Sequence, residues 1–383
     1  MLATEFRDTA PGQLLPIPKG VAFFPNPLPP ALPISWELSS HLDDASRAVA
    51  AIAGRASLIP NLDLVIQPLL LREAMESARL EGTHTQVEDI LLHEAGGPPK
   101  DRERALNNLE VIRYRQALNM GEEWIVAGRD TSTYLVRALH AELLRDTRGS
   151  DRRPGEFRTR QVLIGSPGDS PSEARFVPPP PEHVGSAMEE LFGYVRTGRK
   201  YPPLVDAALV HYQFETIHPF EDGNGRLGRL LISLQMLSRG TLTRPLLHLS
   251  PYFERHRTDY LQFMKQVSTE GAWENWLRFF LVGVLEQSLD AGERVTRILD
   301  LQEDYRQRIR GVGRSRVPLE ALDLVLRQVI VSVPDVAKFA KCEYRTAKNA
   351  VHALASAGIV SAIPNTYPQW WRAQELLREV YES

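Results

Sequence analysis

His218-Pro219-Phe220-Glu221-Asp222-Gly223-Asn224-Gly225-Arg226-Leu227-Gly228-Arg229 is the stretch from which the rest of the chain can be read. Upstream of it, Leu204, Ala207, Ala208, His211 and Phe214 recur at helical spacing. Pro219 discourages a helical conformation at His218, so that helix ends at the histidine. Downstream, Leu227, Leu230, Leu231 and Leu234 repeat at i, i+3, i+4, i+7, and a second helix starts near Arg226 with those leucines toward a core. Between the helices, Gly223 and Gly225 let the backbone take positive φ and turn its N–H groups inward. The following helix adds unpaired amides and a positive dipole end, so the loop is built for an anion. Arg226 and Arg229 are i, i+3 neighbours that reach toward it from one side of the first turn. Asp222 fits beside phosphates when a hard cation bridges them, and one carboxylate plus substrate phosphates is the usual environment of Mg²⁺. His218 is the group in this stretch suited to accept a proton near neutral pH. Singly, each feature has a plain alternative: a surface turn, a structural histidine, solvated arginines. Their concurrence in one loop points to phosphate chemistry.

The same residues resemble the signature of the Fic family, HPFxDGNGRxxR, at every specified position. Fic proteins transfer the AMP moiety of ATP onto a hydroxyl side chain of a protein. The resemblance implies His218 as the base that deprotonates the target hydroxyl, Asp222 as the Mg²⁺ ligand and Asn224 as a contact of phosphate oxygens. It implies the Gly223 and Gly225 amides as an anion hole, with Arg226 and Arg229 on the outer phosphates. Relatives that act as kinases carry lysine in place of the second glycine, so Gly225 favours nucleotidyl transfer.

At 383 residues the chain is too long for one typical core and suggests two or three domains. A formal net charge of −3 gives no global reason to expect nucleic acid or an anionic membrane as partner. Cys342 is the sole cysteine, which excludes an intrachain disulfide and a cysteine-based metal cluster and fits a reducing cytoplasm. No secretory signal and no apolar run approaching the ~20 residues of a membrane span is visible, so a cytoplasmic location without a membrane partner is expected.

Residues 1–35 carry Pro11, Pro16, Pro18, Pro25, Pro27, Pro29, Pro30 and Pro33, which exclude helix and favour an extended arm over the surface or a loose tail. Phe23, Phe24, Leu28 and Leu32 give part of that arm something to pack. A helical region, 36–100, follows. Ser35 caps a helix ending around Gly54, and Pro68 suits the first turn of another whose stripe is Leu71, Ala74, Met75 and Ala78. Gly82 terminates that second helix, and Thr85 with Glu88 makes a capping box for the next. Glu81 is thereby left at a helix C-terminus, where the dipole disfavours its charge by a few tenths to ~1 kcal/mol, and it wants a cation. Ser77-Ala-Arg-Leu-Glu81-Gly82 also resembles the family's inhibitory motif, (S/T)xxxE(G/N). The resemblance implies that Ser77, Glu81 and Gly82 form a brake in which Glu81 pairs with Arg229 and takes the space of the γ-phosphate.

A catalytic core is expected over 101–310. Helices from about 101 to 122 and from Thr133 read as core elements, and Pro154-Gly155-Glu156-Phe157-Arg158 resembles what precedes the flap of Fic proteins. Gln161-Val162-Leu163-Ile164 and Ala174-Arg175-Phe176-Val177 have hairpin composition; the resemblance implies a flap that aligns the target by adding it as a strand, against the alternative of plain structure. Tyr252 to Val267 reads as one helix, with Tyr260 where relatives place a nucleoside contact. Residues 311–383 form a small domain behind a basic linker, with helices at 319–329, 333–342 and 344–357, resembling a winged helix-turn-helix. Its nine basic and seven acidic residues between 314 and 383 are a thin margin for DNA. Winged helices also serve as docking and dimer modules, which leaves DNA, a protein or a second copy of the chain as its partner.

The expected fold is mainly α: a Fic-type helical bundle with a short β-hairpin flap and a small C-terminal winged helix-turn-helix domain. The expected activity is AMP transfer from ATP, with Mg²⁺, to a Ser, Thr or Tyr hydroxyl of a protein, the chain itself included, restrained by Glu81. The alternatives are a DNA-binding regulator whose nucleotide site is a sensor, and a hydrolase that removes AMP at the same site.

Overall fold

The computed structural model describes residues 1–32, 34–59, 61–166, 168–197, 200–310 and 316–381. Pro33 and most of the basic linker, residues 311–315, lie outside the described residues. Strands β1 (Gly12–Ile17) and β2 (Gly20–Pro25) come first. Helices α1 (Trp36–Ser57), α2 (Asp63–Leu80), α3 (Val87–Glu94), α4 (Arg102–Val126) and α5 (Thr133–Leu144) follow. The central elements are α6 (Val184–Thr197), α7 (Pro203–Ile217), α8 (Asn224–Ser238), α9 (Ser250–Arg255), α10 (Arg257–Glu270) and α11 (Trp273–Arg308). The chain closes with α12 (Val317–Gln328), β3 (Ile330–Ser332), α13 (Val333–Phe339), α14 (Tyr344–Ser356), β4 (Ser361–Ala362), β5 (Trp370–Arg372) and α15 (Gln374–Tyr381).

The hairpin of α7 and α8 is the centre of the molecule. Both helices are buried on nearly every side rather than along one stripe: Gln213, Ser233 and Gln235 are buried alongside Leu209 and Leu230. Around them α4 packs on α8, α6 on α7, and the long α11 on α1 and α7. Trp276 of α11 is fully enclosed among Phe253, Tyr260 and Phe280, and its indole N–H donates to the Ala208 carbonyl at 3.0 Å. Among the described residues no helix is long and apolar enough to cross a membrane.

Local chemistry sets most helix starts. Ser35, Asp101 and Ser132 accept from the amides of Leu38, Arg104 and Leu135 and so cap α1, α4 and α5. Several expectations change. The proline-rich segment is not a plain arm: Ala3–Glu5 forms a 3-10 turn and β1 pairs with β2 across Pro18 and Lys19, where Lys19 takes φ +66°. Proline is admitted to this two-stranded ribbon because its strands are edges. Pro68 is not in a first turn; α2 begins at Asp63, and burial of Leu64, Val65 and Ile66 outweighs the backbone bond lost at the proline. Thr85 and Glu88 form no capping box, because the Thr85 hydroxyl donates to Asn108 and Glu88 pairs with Arg372. The helix expected from Tyr252 to Val267 is broken at His256.

The helix α2, which leads into Glu81, is fastened along its length. Glu73 accepts from Tyr114 of α4 at 2.8 Å and from Ser250 of α9, and Arg72 pairs with Asp290 of α11 at 2.7 Å. From the other side α12 packs on it.

Truncating the aromatic centre tests how far the bundle depends on it. Trp276→Ala is expected to lower the unfolding free energy by about 3–5 kcal/mol, through the lost burial of the indole. Urea titration reads this directly, and a loss under about 1 kcal/mol would contradict the packing described.

Candidate functional site

The loop between α7 and α8 takes its shape from its own side chains. His218 ends α7 in the left-handed conformation, φ +50°, with its N–H still on the Phe214 carbonyl at 3.0 Å. Gly223 takes φ +77° and starts α8. Gly225 has no positive φ; it is helical, and its role is steric, since a Cβ there would collide with the Glu81 carboxylate. Asn224 is engaged within the loop itself. Its side-chain oxygen accepts from the Phe220 amide and its nitrogen donates to the Phe220 carbonyl, both at 2.9 Å. Thus the Asn224 amide staples the loop.

Two residues that pattern reading passed over hold the loop from outside. Fully buried His140 of α5 accepts from the Gly155 amide at Nδ1, 2.8 Å away, so its proton is on Nε2, which donates to the Asp222 carbonyl at 2.9 Å. The ring stacks on Phe220 at 3.7 Å, and burial lowers its pKa to about 4. Arg158, 2% exposed, donates from Nε to the His218 carbonyl at 2.8 Å and from Nη2 to Pro179 at 2.6 Å and Ile217 at 3.3 Å. These partners are carbonyls rather than carboxylates, and burial lowers its pKa to about 10. A signal for Arg158 was available in the Pro154–Arg158 run, whereas His140 sits at the helical spacing of core leucines and gave none.

A cavity of about 340 Å³ opens beside the loop. Of the expected site residues, His218, Gly225, Arg229, Tyr260, Glu81, Ile164 and Phe176 line it. Asp222, Gly223, Asn224 and Arg226 are not among its lining residues; Arg226 stands by Glu110 and Asp222 by Gly149. The Arg226 guanidinium is 4% exposed, 3.6 Å from Glu110 and 3.5 Å from Asp222, and its Nε and Nη1 find no hydrogen-bond partner among the described residues. Asp222 keeps 44% of its side chain exposed and no group of three or more metal-ligating side chains surrounds it among the described residues. That donor set does not cage a metal alone but fits a divalent cation shared with phosphates.

Arg229 is the most heavily engaged group in the cavity. Its Nε donates to the Ser77 hydroxyl at 2.9 Å, and its Nη2 donates to the Ser77 carbonyl at 2.9 Å and to Glu81 at 2.7 Å. The arginine side chain is 3% exposed and that of Glu81 40%. Burial pushes the Glu81 carboxyl up, but the charge and hydrogen bond of Arg229 prevail and its pKa lies below the ordinary value. Gly82, at φ +86°, ends the turn that delivers Glu81. Glu215, one turn before His218, is pushed by burial to a pKa of about 8, with Arg229 opposing. Tyr260 donates its hydroxyl to His211 at 2.8 Å, whose Nδ1 donates to the Gly228 carbonyl, and it stacks on Phe253 at 4.5 Å. Arg257 and Lys265 of α10 also line the cavity, and no local pattern marks them.

The flap is less regular than its composition suggested. The strands expected at 161–164 and 174–177 reduce to one antiparallel bridge, Ile164 with Phe176. Gln161 turns its side-chain amide onto the carbonyls of Val162 and Pro178. Leu163 and Ile164 pack instead into a small apolar cluster with Phe23, Phe176 and Val177, and the Phe23 amide donates to Val177 at 2.9 Å. The hairpin does not extend past the Ile164–Phe176 bridge because Pro178 has no N–H to donate and the Gln161 side chain takes the Val162 and Pro178 carbonyls that the next pair would use.

His218 is held neutral. Burial, then the nearby Arg158 charge, lowers its pKa to about 4, and its Nδ1 donates to the Glu215 carbonyl at 3.3 Å, leaving Nε2 as the acceptor. In an isotope-labelled sample the His218 ring resonances should stay at their neutral positions from pH 8 down to about 5.5. A titration midpoint near 6.5 would contradict the depressed value.

The profile of the Fic/DOC family matches residues 130–236, and that of the Fic/DOC family N-terminal region matches 39–123, together half of the chain. The protein adenylyltransferase Fic of Culex quinquefasciatus is 31% identical over 138 residues, 36% of this chain and 24% of that protein. Protein adenylyltransferase fic-1 of Caenorhabditis elegans is 35% identical over 88 residues, 22% of this chain and 16% of that protein. The matched region thus spans about a quarter or less of the length of these relatives. Among solved structures, a Fic family protein from Desulfovibrio desulfuricans G20 superposes with a TM-score of 0.60 at 18% identity, covering 91% of this chain and 98% of that one. Residues 134–508 of Fic-1 from C. elegans give 0.52 at 18% identity, covering 68% and 74%. With the signature loop and the helical fold in agreement, the chain belongs to the Fic/DOC family.

Proposed function

We propose that the chain is a protein adenylyltransferase that moves AMP from ATP to a Ser, Thr or Tyr hydroxyl of a protein, the chain itself included, and that Glu81 restrains it. The observation that carries this reading is the meeting of His218, the α8 amides at Gly225 and the Arg229–Glu81 pair in one cavity. Relatives named protein adenylyltransferase support the same reaction. His218 Nε2 takes the hydroxyl proton; the freed oxygen bonds to the α-phosphorus, and the bond from that phosphorus to the bridging oxygen breaks, releasing pyrophosphate. The N-terminal turn of α8 receives the phosphate charge, and Arg226, with its unpartnered buried N–H groups, is a further donor for it. Asp222 would hold Mg²⁺ together with the phosphates. When bound, that cation supplies charge neutralisation. The segment around the Ile164–Phe176 bridge aligns the target backbone, and Tyr260 closes the nucleoside end.

Glu81 restrains the reaction by occupying Arg229 and the space over Gly225. Purified wild type, Glu81→Gly and the double variant Glu81→Gly with His218→Ala, each given tagged ATP, test the proposal. Glu81→Gly should label itself at least about tenfold faster, roughly 1.4 kcal/mol of barrier. Adding His218→Ala should abolish labelling while nucleotide binding persists. Equal labelling by wild type and Glu81→Gly would refute the restraint, and labelling by the double variant would refute the base.

A further inference from the structure

The nucleotide site explains α2, α7 and α8 but gives no role to the unit from Val317 onward. Its order of elements is α12, β3, α13, α14, β4, β5, with the three short strands antiparallel in the order β3-β5-β4. A helix pair is thus followed by a two-stranded projection, and α14 is the helix that a helix-turn-helix presents. The charges of this unit nearly cancel in total yet are sorted in space. Glu375 and Glu379 pair with Arg308 and Arg297 of α11, and Asp335 accepts from the Ser332 hydroxyl at the start of α13. By contrast, Lys338, Lys341, Arg345 and Lys348 are exposed and have no ion-pair partner among the described residues; Glu343 is the acid beside them.

On α14, Ala347, Ala350, Val351 and Leu354 face the core, which turns Arg345, Lys348, Asn349 and His352 outward. At the tip between β4 and β5, Tyr367 is 97% exposed, and the turn carrying it is closed by Thr366, which accepts from the Trp370 amide and donates to the Ile363 carbonyl. Because α12 packs on α14 and also on α2, it separates α14 from the body and leaves the polar face of α14 open to a large partner.

We propose that α14 and the β4–β5 projection form a duplex-DNA-binding surface. An α-helix fits the major groove; Lys338, Lys341 and Lys348 neutralise phosphates, while Arg345 and Asn349 have the donor and acceptor geometry to read base edges. Tyr367 meets the adjoining sugar-phosphate backbone. A protein-docking face would need a desolvated apolar centre, and the open face of α14 is polar beyond Tyr344 at its first position.

Fluorescence anisotropy of the whole 383-residue protein with a short labelled duplex of mixed sequence, measured across a salt series, tests this. Binding should weaken with salt with a logarithmic slope of about −3, as for the three phosphate-contacting lysines. Arg345→Glu with Lys348→Glu should weaken it at least ~10-fold at low salt, and Arg345→Lys with Lys348→Arg should retain it. Both pairs are exposed, so thermal melting should be unchanged and confirms that the variants fold. The proposal fails if wild type shows no salt-dependent binding, or if the charge reversal leaves affinity intact. It fails equally if poly-glutamate binds as tightly as the duplex with the same salt slope, which would mark a docking face for acidic protein.

Discussion

A buried guanidinium has to be paired, and Arg229 is the point at which that constraint shapes the whole molecule. The guanidinium, on one of the two central buried helices, is met by the last turn of α2 through the Ser77 hydroxyl, the Ser77 carbonyl and the Glu81 carboxylate. Leaving such a charge without partners is costly, so α2 has to lie where it does. The same contact puts a carboxylate against Gly225, a position of α8 where a side chain would exclude it.

The other fastenings of α2 decide how the contact can be released. Glu73 is bonded to Tyr114 and Ser250, Arg72 is paired with Asp290, and any shift of the helix is opposed by the full burial of Val65, Ile66 and Leu70. Moving the whole helix breaks all of these at once. Turning the Glu81 side chain, which is 40% exposed at the helix end, breaks one charge-assisted bond and leaves Ser77 on Arg229. Release at the last turn is therefore the less demanding route. On the opposite side of the loop, Arg158 and His140 fix the carbonyls of His218 and Asp222, so the histidine and the turn into α8 stay in register while Glu81 moves.

The central helices and their loop were legible because the deciding signals are local. Pro219 after His218 and glycine before Asn224 fix where α7 stops and α8 starts, and no distant contact overrides them. What was not legible depends on partners far away in sequence. Pro68 is carried inside α2 by the burial of its neighbours, and Thr85 is drawn from a capping role by Asn108. The flap strands shrink to one bridge because Pro178 has no N–H for the next pair and the Gln161 side chain takes the Val162 and Pro178 carbonyls. The bonds by which Asn224 staples the loop to Phe220 also carried no mark in the local pattern. His140 could not be told from the leucines it repeats with.

The central claim is that Glu81 takes from the terminal phosphate both its arginine and its space. Calorimetric titration of wild type and Glu81→Gly with ADP and with a non-hydrolysable ATP analogue measures this directly. The account predicts that wild type binds the analogue no more tightly than ADP, and that Glu81→Gly gains about tenfold for the analogue alone. An equal preference for the analogue in both proteins would contradict it.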